Sequence, residues 1–140
     1  MNVLSATDVR KNWSVTLDKA IHEKPVYIKR TRDNLAIINI DTMKEALSGY
    51  RFTFRKYTED DNSVTLSSEE FDIVVNDKDE YTAELTLARD IKEYAEDFYE
   101  NFATWSIAPN RRTHIPYVLK ALMLDEEVIM EELTCLDGRN

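Results

Sequence analysis

The sequence predicts an α+β protein with two domains, and three patterns lead to that prediction. Residues 2–47 run through short β-rich and helix-period segments in the order β-α-α-β-β-α. Residues 50–57 alternate between apolar and polar side chains, which is typical of a half-buried strand. Over residues 80–101 the apolar side chains fall three to four positions apart, as on one face of a long helix. We place the boundary at Gly49, which gives domains 1–49 and 50–140.

Capping and turn residues delimit the elements of the first domain. Ser5 or Thr7 caps a first helix, since a hydroxyl oxygen there accepts a hydrogen bond from a free backbone N–H. Pro25 ends a second helix that reaches His22. The remaining predicted elements are an edge strand Asn2–Leu4, a hairpin of strands Pro25–Arg30 and Leu35–Ile40 around a turn at 32–34, and a helix capped by Asp41 or Thr42.

The second domain is predicted to hold a three-stranded antiparallel sheet followed by helices, the order of an α+β domain. The strands are 50–57, 63–66 and 71–75, and a turn at 76–79 leads into the long helix, which runs from about Glu80 to Asn101 or beyond. Two shorter helices, 117–124 and 126–133, follow a polar connection. Arg111 and Arg112 in that connection either pair with the acidic helix or add a contact to an anion.

Charge is divided unevenly along the chain. Residues 1–50 hold eight Lys/Arg and six Asp/Glu, a net charge of +2, whereas residues 51–140 hold ten and twenty-one, a net charge of −11. Two halves of opposite sign indicate two kinds of partner. An equally good interpretation of the acidic half is that it keeps the protein soluble.

Composition argues against several function classes. No apolar run is long enough to span a bilayer, and the N-terminus lacks the basic and apolar regions of a signal peptide. The single cysteine, Cys135, excludes an intramolecular disulfide, so we expect a cytoplasmic protein. Two glycines argue against a phosphate-binding loop, and His22 and His114 have no partner at metal-ligand spacing. We therefore expect no cofactor, no metal and no enzymatic activity.

The first domain resembles the N-terminal domain of prevent-host-death (Phd/YefM-type) antitoxins. The resemblance covers residues 2–47 and rests on an ordered set of residues rather than on a single one. The set consists of Ser5, Thr7, Asp8, Arg10, Asn12, Leu17, Ile21, Pro25 before a strand pair, and the helix sequence DTMKEAL from Asp41. Many members of that family continue into a short tail that folds on the toxin, whereas residues 50–140 here look independently folded. Residues 49–99 of that part resemble the sheet and long helix of HicB-type antitoxins.

The Phd/YefM resemblance implies a homodimer, or a higher assembly, that binds operator DNA, together with a cognate toxin as partner. An arginine donates two hydrogen bonds to guanine, and a lysine acts as a point charge on phosphate. For Arg10 and Lys11 the alternative is a capped helix with solvated charges. The DNA-facing residues that the resemblance suggests are Ser5, Thr7, Arg10 and Lys11, with Lys29, Arg30 and Arg32 of the hairpin. The residues predicted for the core and the dimer seam are Trp13, Leu17, Ile21, Tyr27, Ile37 and Ile40.

Three hypotheses of function follow. The first is an antitoxin that represses its own operon as a DNA-bound dimer and neutralises a toxin, expected to be basic because the second domain is acidic. The second is a module that dimerises and binds a basic partner without binding DNA. The third is a metal-dependent nuclease, which requires converging carboxylates. The acids at 59–61, 77–80 and 93–100 lack a recognised metal-site spacing, so a solvated or docking surface is the simpler interpretation.

Overall fold

The computed structural model describes residues 1–137 and divides them into two compact units, the first ending at Ala46 and the second beginning at Leu47. The described residues form seven α-helices and two small sheets, in agreement with the predicted α+β class. None of the helices within these residues is long and apolar enough to cross a membrane.

The first unit follows the predicted order of elements. They are β1 (Val3–Ser5), α1 (Ala6–Lys11), α2 (Trp13–His22), β2 (Val26–Arg30), β3 (Asp33–Ile37) and α3 (Ile40–Ala46). The sheet has the order β1-β2-β3, with β1 parallel and β3 antiparallel to the central β2. The Ser5 hydroxyl accepts a hydrogen bond from the Asp8 amide at 3.1 Å, which makes Ser5 the cap of α1.

The hairpin turns earlier than predicted. Arg30 pairs with Asp33 across the two strands, so the turn consists of Thr31 and Arg32 alone. Thr31 has a φ of 58°, the left-handed conformation that a short hairpin requires and that glycine would adopt more easily. β3 therefore spans Asp33–Ile37 rather than 35–40.

Asn39 caps the third helix instead of the predicted Asp41 or Thr42. Its Oδ1 accepts a hydrogen bond from the Asp41 amide at 2.8 Å, and α3 accordingly begins at Ile40. Its Nδ2 donates to the Ile21 carbonyl at the end of α2, at 3.0 Å. One side chain thus joins the end of one helix to the start of another.

Only four apolar side chains are buried in the core of the first unit: Val9, Ala20, Val26 and Ile28. α2 turns Thr16 and Ala20 inward, and the buried Thr16 hydroxyl donates to the Asn12 carbonyl at 3.0 Å. Leu17 therefore lies beside this face and is only half-buried. A core this small leaves much of the unit's apolar surface exposed.

None of the six residues predicted for the core or dimer seam is among these four, and four of the six are exposed. The exposed fractions are 51% for Trp13, 54% for Ile21, 42% for Tyr27 and 53% for Ile40, whereas Leu17 and Ile37 are half-buried. Tyr27 is exposed because strand side chains alternate, and its neighbours Val26 and Ile28 take the inner face.

The second unit contains a larger core between a sheet and helices. Its elements are β4 (Thr53–Thr58), β5 (Val64–Ser68), β6 (Val74–Asp77), α4 (Glu80–Glu100), α5 (Phe102–Trp105), a 3₁₀ turn (Arg112–His114), α6 (Ile115–Leu122), α7 (Glu126–Glu132) and β7 (Thr134–Cys135). Asp79 Oδ1 accepts a hydrogen bond from the Thr82 amide at 2.7 Å and caps α4 close to the predicted start. The largest fully buried side chains include Phe52, Phe98 and Ile129.

The sheet of the second unit has four strands, not the predicted three. Its order is β6-β5-β4-β7, and the additional strand β7 pairs parallel to β4. A two-residue strand has no periodicity, so the sequence holds no sign of it. The third predicted strand also moves, from 71–75 to Val74–Asp77, because the Phe71 side chain is buried in the core and Asp72 takes a φ of 56°.

Candidate nucleic-acid interface

Five of the seven residues predicted to face DNA line one recess of the first unit. We call this the basic recess; it measures about 600 Å³ and is lined by Ser5, Thr7, Arg10, Lys29, Arg30 and their neighbours Ala6 and Thr31. It lies at the carboxyl ends of the parallel strands β1 and β2, where Ser5 is the register partner of Lys29. α1 leaves β1 at the same point and brings Thr7 and Arg10 to the recess.

The basic recess carries positive charge without an acidic counterpart. Arg10, Lys29 and Arg30 are exposed, and none of them forms an ion pair within residues 1–137. No Asp or Glu is among the lining residues. An anion that enters the recess can therefore pair with three cations without breaking an existing ion pair. The Ser5 oxygen accepts from the Asp8 amide, which leaves the hydroxyl proton free to donate.

Two of the predicted DNA-facing residues lie outside the basic recess. Lys11 is the last residue of α1, and Arg32 is in the hairpin turn; both are exposed. Thr31 lines the recess although the sequence analysis did not name it. Thr31 directly follows Arg30, but the predicted turn at 32–34 left it outside the turn in which the structure places it.

An apolar face adjoins the basic recess. Its lining residues are Ala6, Val9, Trp13, Ile28, Leu35 and Ile37, with Arg10 and Arg30 at its border. Leu35 is the cross-strand partner of the buried Ile28, yet 48% of its side chain is exposed. Helix α1 packs mainly on β1 and β2, and α2 packs mainly on β2, whereas four of the five residues of β3 are exposed. One side of the inner sheet face is therefore left uncovered.

The apolar face contains only part of the predicted seam. Trp13 and Ile37 lie on it, whereas Leu17, Ile21, Tyr27 and Ile40 do not. Tyr27 pairs with Ala36 on the outer face of the sheet, so it cannot share a surface with Ile37 on the inner face. Leu35 belongs to the face and was missed, although its alternation with Ile37 along the strand indicated the same side.

The second unit holds an aromatic cluster around His114. Its Nδ1 lies 2.7 Å from the Tyr94 hydroxyl, and burial lowers the pKa of His114 below its usual value of 6.5. The Arg111 guanidinium stacks over the Trp105 ring at 3.7 Å from the centroid, and Arg111 forms no ion pair within the described residues.

Among residues 1–137 no group of His, Cys, Asp and Glu side chains is arranged to hold a metal ion.

Comparison with known proteins identifies the family. Residues 1–134 match the PHD_like family model, described as the antitoxin of toxin-antitoxin, RelE / RelB, TA system. The chain belongs to this antitoxin family. The match begins in the first unit and extends through most of the second, so the family model includes both.

A solved structure agrees with this assignment. The chain is similar to an antitoxin part of a proposed toxin/antitoxin system from Syntrophomonas wolfei subsp. wolfei, with 31% sequence identity and a TM-score of 0.91. The alignment covers 96% of this chain and 98% of that one. A search of curated proteins gives no match. The protein is therefore an antitoxin, a non-enzymatic regulator that has a cognate toxin as its partner.

Proposed function

We propose that this antitoxin binds operator DNA as a dimer of its first unit and represses its own operon. The observation that carries the proposal is the border between the basic recess and the apolar face, which share Arg10 and Arg30. A second copy seated on the apolar face would bring two basic recesses side by side. Paired sites on one duplex are the arrangement by which dimeric repressors read two half-sites.

Exposed apolar surface supports the dimer. The first unit buries four apolar side chains but exposes about half of Trp13 and of Leu35 on one continuous face. Contiguous apolar patches of this kind on small domains mark protein interfaces. We infer that this unit is the Phd/YefM-type module that its sequence resembles; the HicB-type resemblance of the second unit stays a prediction.

The second unit is proposed to engage the toxin. Glu96, Asp97 and Glu100 are exposed in the last turns of α4 and form no ion pair within residues 1–137. That end of a helix carries partial negative charge, and the last turn of α4 has no basic residue to balance it. A basic toxin surface supplies the missing cations, so we expect the toxin to be basic.

A gel shift on the promoter of its own operon tests the DNA proposal. The triple substitution Arg10→Ala, Lys29→Ala and Arg30→Ala should abolish the shift at physiological salt, since it removes every cation of the basic recess. Lys44→Ala is the matched control, because Lys44 is exposed on α3 outside the recess and its loss should leave the shift intact.

The alternative is a dimerising module that binds only a basic protein, and the net charge of −11 over residues 51–140 favours it. It predicts no shift for the unaltered antitoxin, with or without the toxin, and unchanged toxin capture by the triple variant. A salt-sensitive shift that the triple variant loses excludes it.

A further inference from the structure

The sheet of the second unit is incomplete on one side of β4. β5 pairs with β4 from Phe54 to Thr58, whereas β7 on the other side pairs only with Thr53 and Phe54. Within residues 1–137 no strand therefore lies beside Lys56–Thr58 on the β7 side. We call this side of Lys56–Thr58 the open edge.

Backbone groups of the even-numbered residues of β4 point to the open edge. The Phe54 carbonyl accepts a hydrogen bond from the Leu136 amide, directly after β7, at 2.9 Å. Backbone groups of a strand alternate between its two sides, so those of Lys56 and Thr58 point the same way. The Lys56 carbonyl and the Thr58 amide and carbonyl thus have no strand partner among residues 1–137.

A recess of about 560 Å³ lies along the open edge. It is lined by Lys56 and Thr58 of β4 and by Cys135 and Asp137 where β7 ends. Asp137 Oδ2 accepts a hydrogen bond from the Lys56 amide at 3.1 Å, so a side chain takes the place of a partner strand at that position. A sheet edge of this kind can accept an extended segment as an additional strand, in line with β7.

The uncompensated charges beside the open edge are negative. Arg55 pairs with Glu69 at 2.9 Å and Lys56 pairs with Glu80 at 3.1 Å, so both neighbouring cations are already neutralised. The acidic loop of residues 59–61 directly follows β4; its three carboxylates are exposed and form no ion pair within residues 1–137. A segment that extends past the end of β4 meets these carboxylates, so charge complementarity favours a basic one.

The two faces of the open edge differ in the side chains that they suit. Tyr57 is 51% exposed on the outer face, where a cationic side chain of an added strand can stack on its ring. Thr58 lies on the opposite face because strand side chains alternate, and so does Cys135, the register partner of Phe54. A segment that alternates basic and small apolar side chains therefore fits both faces.

We propose that the open edge binds an extended basic segment of a partner protein as an additional strand beside β4. The segment donates to the Lys56 carbonyl and accepts from the Thr58 amide, with its small side chains in the recess and its basic ones against Tyr57 and the acidic loop. A second copy fits less well, because two open edges paired antiparallel would bring the loop after each β4 into the β7 of the other. The proposal is independent of operator binding and of the toxin contact proposed at the end of α4.

Fluorescence anisotropy with the full chain tests the proposal. The probe is a labelled peptide of about eight residues that alternates Arg and Val, long enough to cover a strand of average length. It should bind at physiological salt, whereas a Glu–Val peptide of equal length should not. An Arg–Val peptide methylated on every backbone nitrogen keeps the charges but lacks the donors for strand pairing, so it should also fail to bind.

Substitutions assign the contact to the open edge. Thr58→Pro removes an amide that the pairing with β5 does not use, so it should weaken Arg–Val binding by roughly tenfold or more in a folded sheet. Glu59→Gln with Asp60→Asn should weaken it several-fold. The matched control is Glu96→Gln with Asp97→Asn, which removes the same two kinds of charge at the end of α4 and should leave the affinity unchanged. Far-UV circular dichroism checks that each variant is folded.

Four results would overturn the proposal: no binding of the Arg–Val peptide, equal binding of its methylated form, unchanged affinity in Thr58→Pro, or equal losses in the two charge variants. Binding by a chain that ends at Asp137, but not by the full chain, would assign the edge to residues 138–140 and would overturn it as well. Self-association that Thr58→Pro abolishes would assign the edge to a second copy instead.

The proposal and the DNA proposal fail separately. The triple variant of the basic recess should still bind the Arg–Val peptide, and Thr58→Pro should still shift the operator. Loss of operator binding alone therefore leaves the open edge assigned, and loss of peptide binding alone leaves the basic recess assigned.

Discussion

Ser5 and Lys29 face each other across the parallel strands β1 and β2, at the point where both strands end. This register brings residues 24 positions apart in the sequence to one recess, with Arg10 and Arg30 beside them. The parallel pairing brings these residues together, since an antiparallel pair would place the carboxyl ends of β1 and β2 at opposite ends of the sheet. The cations proposed to contact DNA therefore converge through the fold and not through sequence proximity.

Leu35→Asp should separate the proposed dimer. Leu35 is about half exposed on the apolar face, so a carboxylate there remains hydrated in the monomer but loses its hydration inside an apolar interface. We expect a monomer by sedimentation velocity, with native circular dichroism. Val15→Asp is the control, because Val15 is 63% exposed and outside the apolar face. A Leu35→Asp protein that remains dimeric would exclude this face as the seam.

Arg10 and Lys29 should differ in their effect on DNA recognition. Lys29→Ala removes a phosphate contact, so it should weaken binding to all duplexes alike and reduce the salt slope by about one. Arg10→Ala should cost about 1–3 kcal/mol on the operator and less on unrelated DNA if Arg10 reads a base. Gel shifts on operator and scrambled duplexes at several salt concentrations measure both. Equal loss on both duplexes for Arg10→Ala would assign it to the phosphates.

Lys120→Met should destabilise the second unit by about 2–4 kcal/mol. Lys120 is 5% exposed; its Nζ donates to the Tyr50 carbonyl at 2.7 Å and lies 2.9 Å from Glu132 Oε1. Methionine fills the space but leaves the carbonyl without its donor and the carboxylate without its cation. Urea unfolding measures the change, with the exposed Lys78→Met as control. A loss below about 0.5 kcal/mol, the range of ordinary surface substitutions, would contradict the assigned role.

Acid should destabilise the second unit through His114. Burial lowers the pKa of this imidazole below 6.5, so the folded state favours the neutral form. The facing Asp72 carboxylate opposes the shift, and the Arg111 cation adds to it. The stability contribution is complete above pH 6.5 and is lost as the pH falls from 6.5 through the lower folded-state pKa.

Thermal unfolding between pH 7.5 and 5 measures this effect as a difference between proteins. His114→Phe keeps an aromatic ring beside Phe71 and Tyr94 but cannot protonate, so its melting temperature should fall less than that of the unaltered protein. His22→Gln, at an exposed site, is the control and should follow the unaltered protein. Parallel curves for the His114 variant and the unaltered protein would show that His114 does not contribute.

The sequence predicted elements better than surfaces. The start of helix α4 was predicted at the correct residue, and its end was predicted at Asn101 or beyond, against Glu100 in the structure, because the amphipathic repeat continues to Phe102. Strand β7 was missed because two residues are too few to show an alternating pattern. The hairpin turn was misplaced because Thr31 has a positive φ, which a threonine in the sequence does not predict. The inward face of α2 was also misjudged, since a polar residue, Thr16, is buried there through a bond to its own helix.

In the candidate site, too, individual residues were predicted from the sequence, but their arrangement on the surface was not. The family resemblance named seven hydroxyl and charged residues near α1 and β2, and five of them line the basic recess. Their convergence depends on the parallel register, which no local pattern encodes. Alternation with Ile37 indicates the side of the sheet on which Leu35 lies, but it does not reveal that Leu35 stays 48% exposed there, which depends on how the helices pack on the sheet.

The most direct test of the central claim is the salt dependence of operator binding, measured together with the stoichiometry of the complex. Two copies that each place Lys29 and Arg30 on phosphates make on the order of four phosphate contacts, so the logarithm of the association constant should fall with the logarithm of salt concentration at a slope of about −4, or about −5 where Arg10 also contacts a phosphate. Analytical ultracentrifugation should find two chains, or a multiple of two, on each duplex. A monomeric complex, or binding that is indifferent to salt, would contradict the claim.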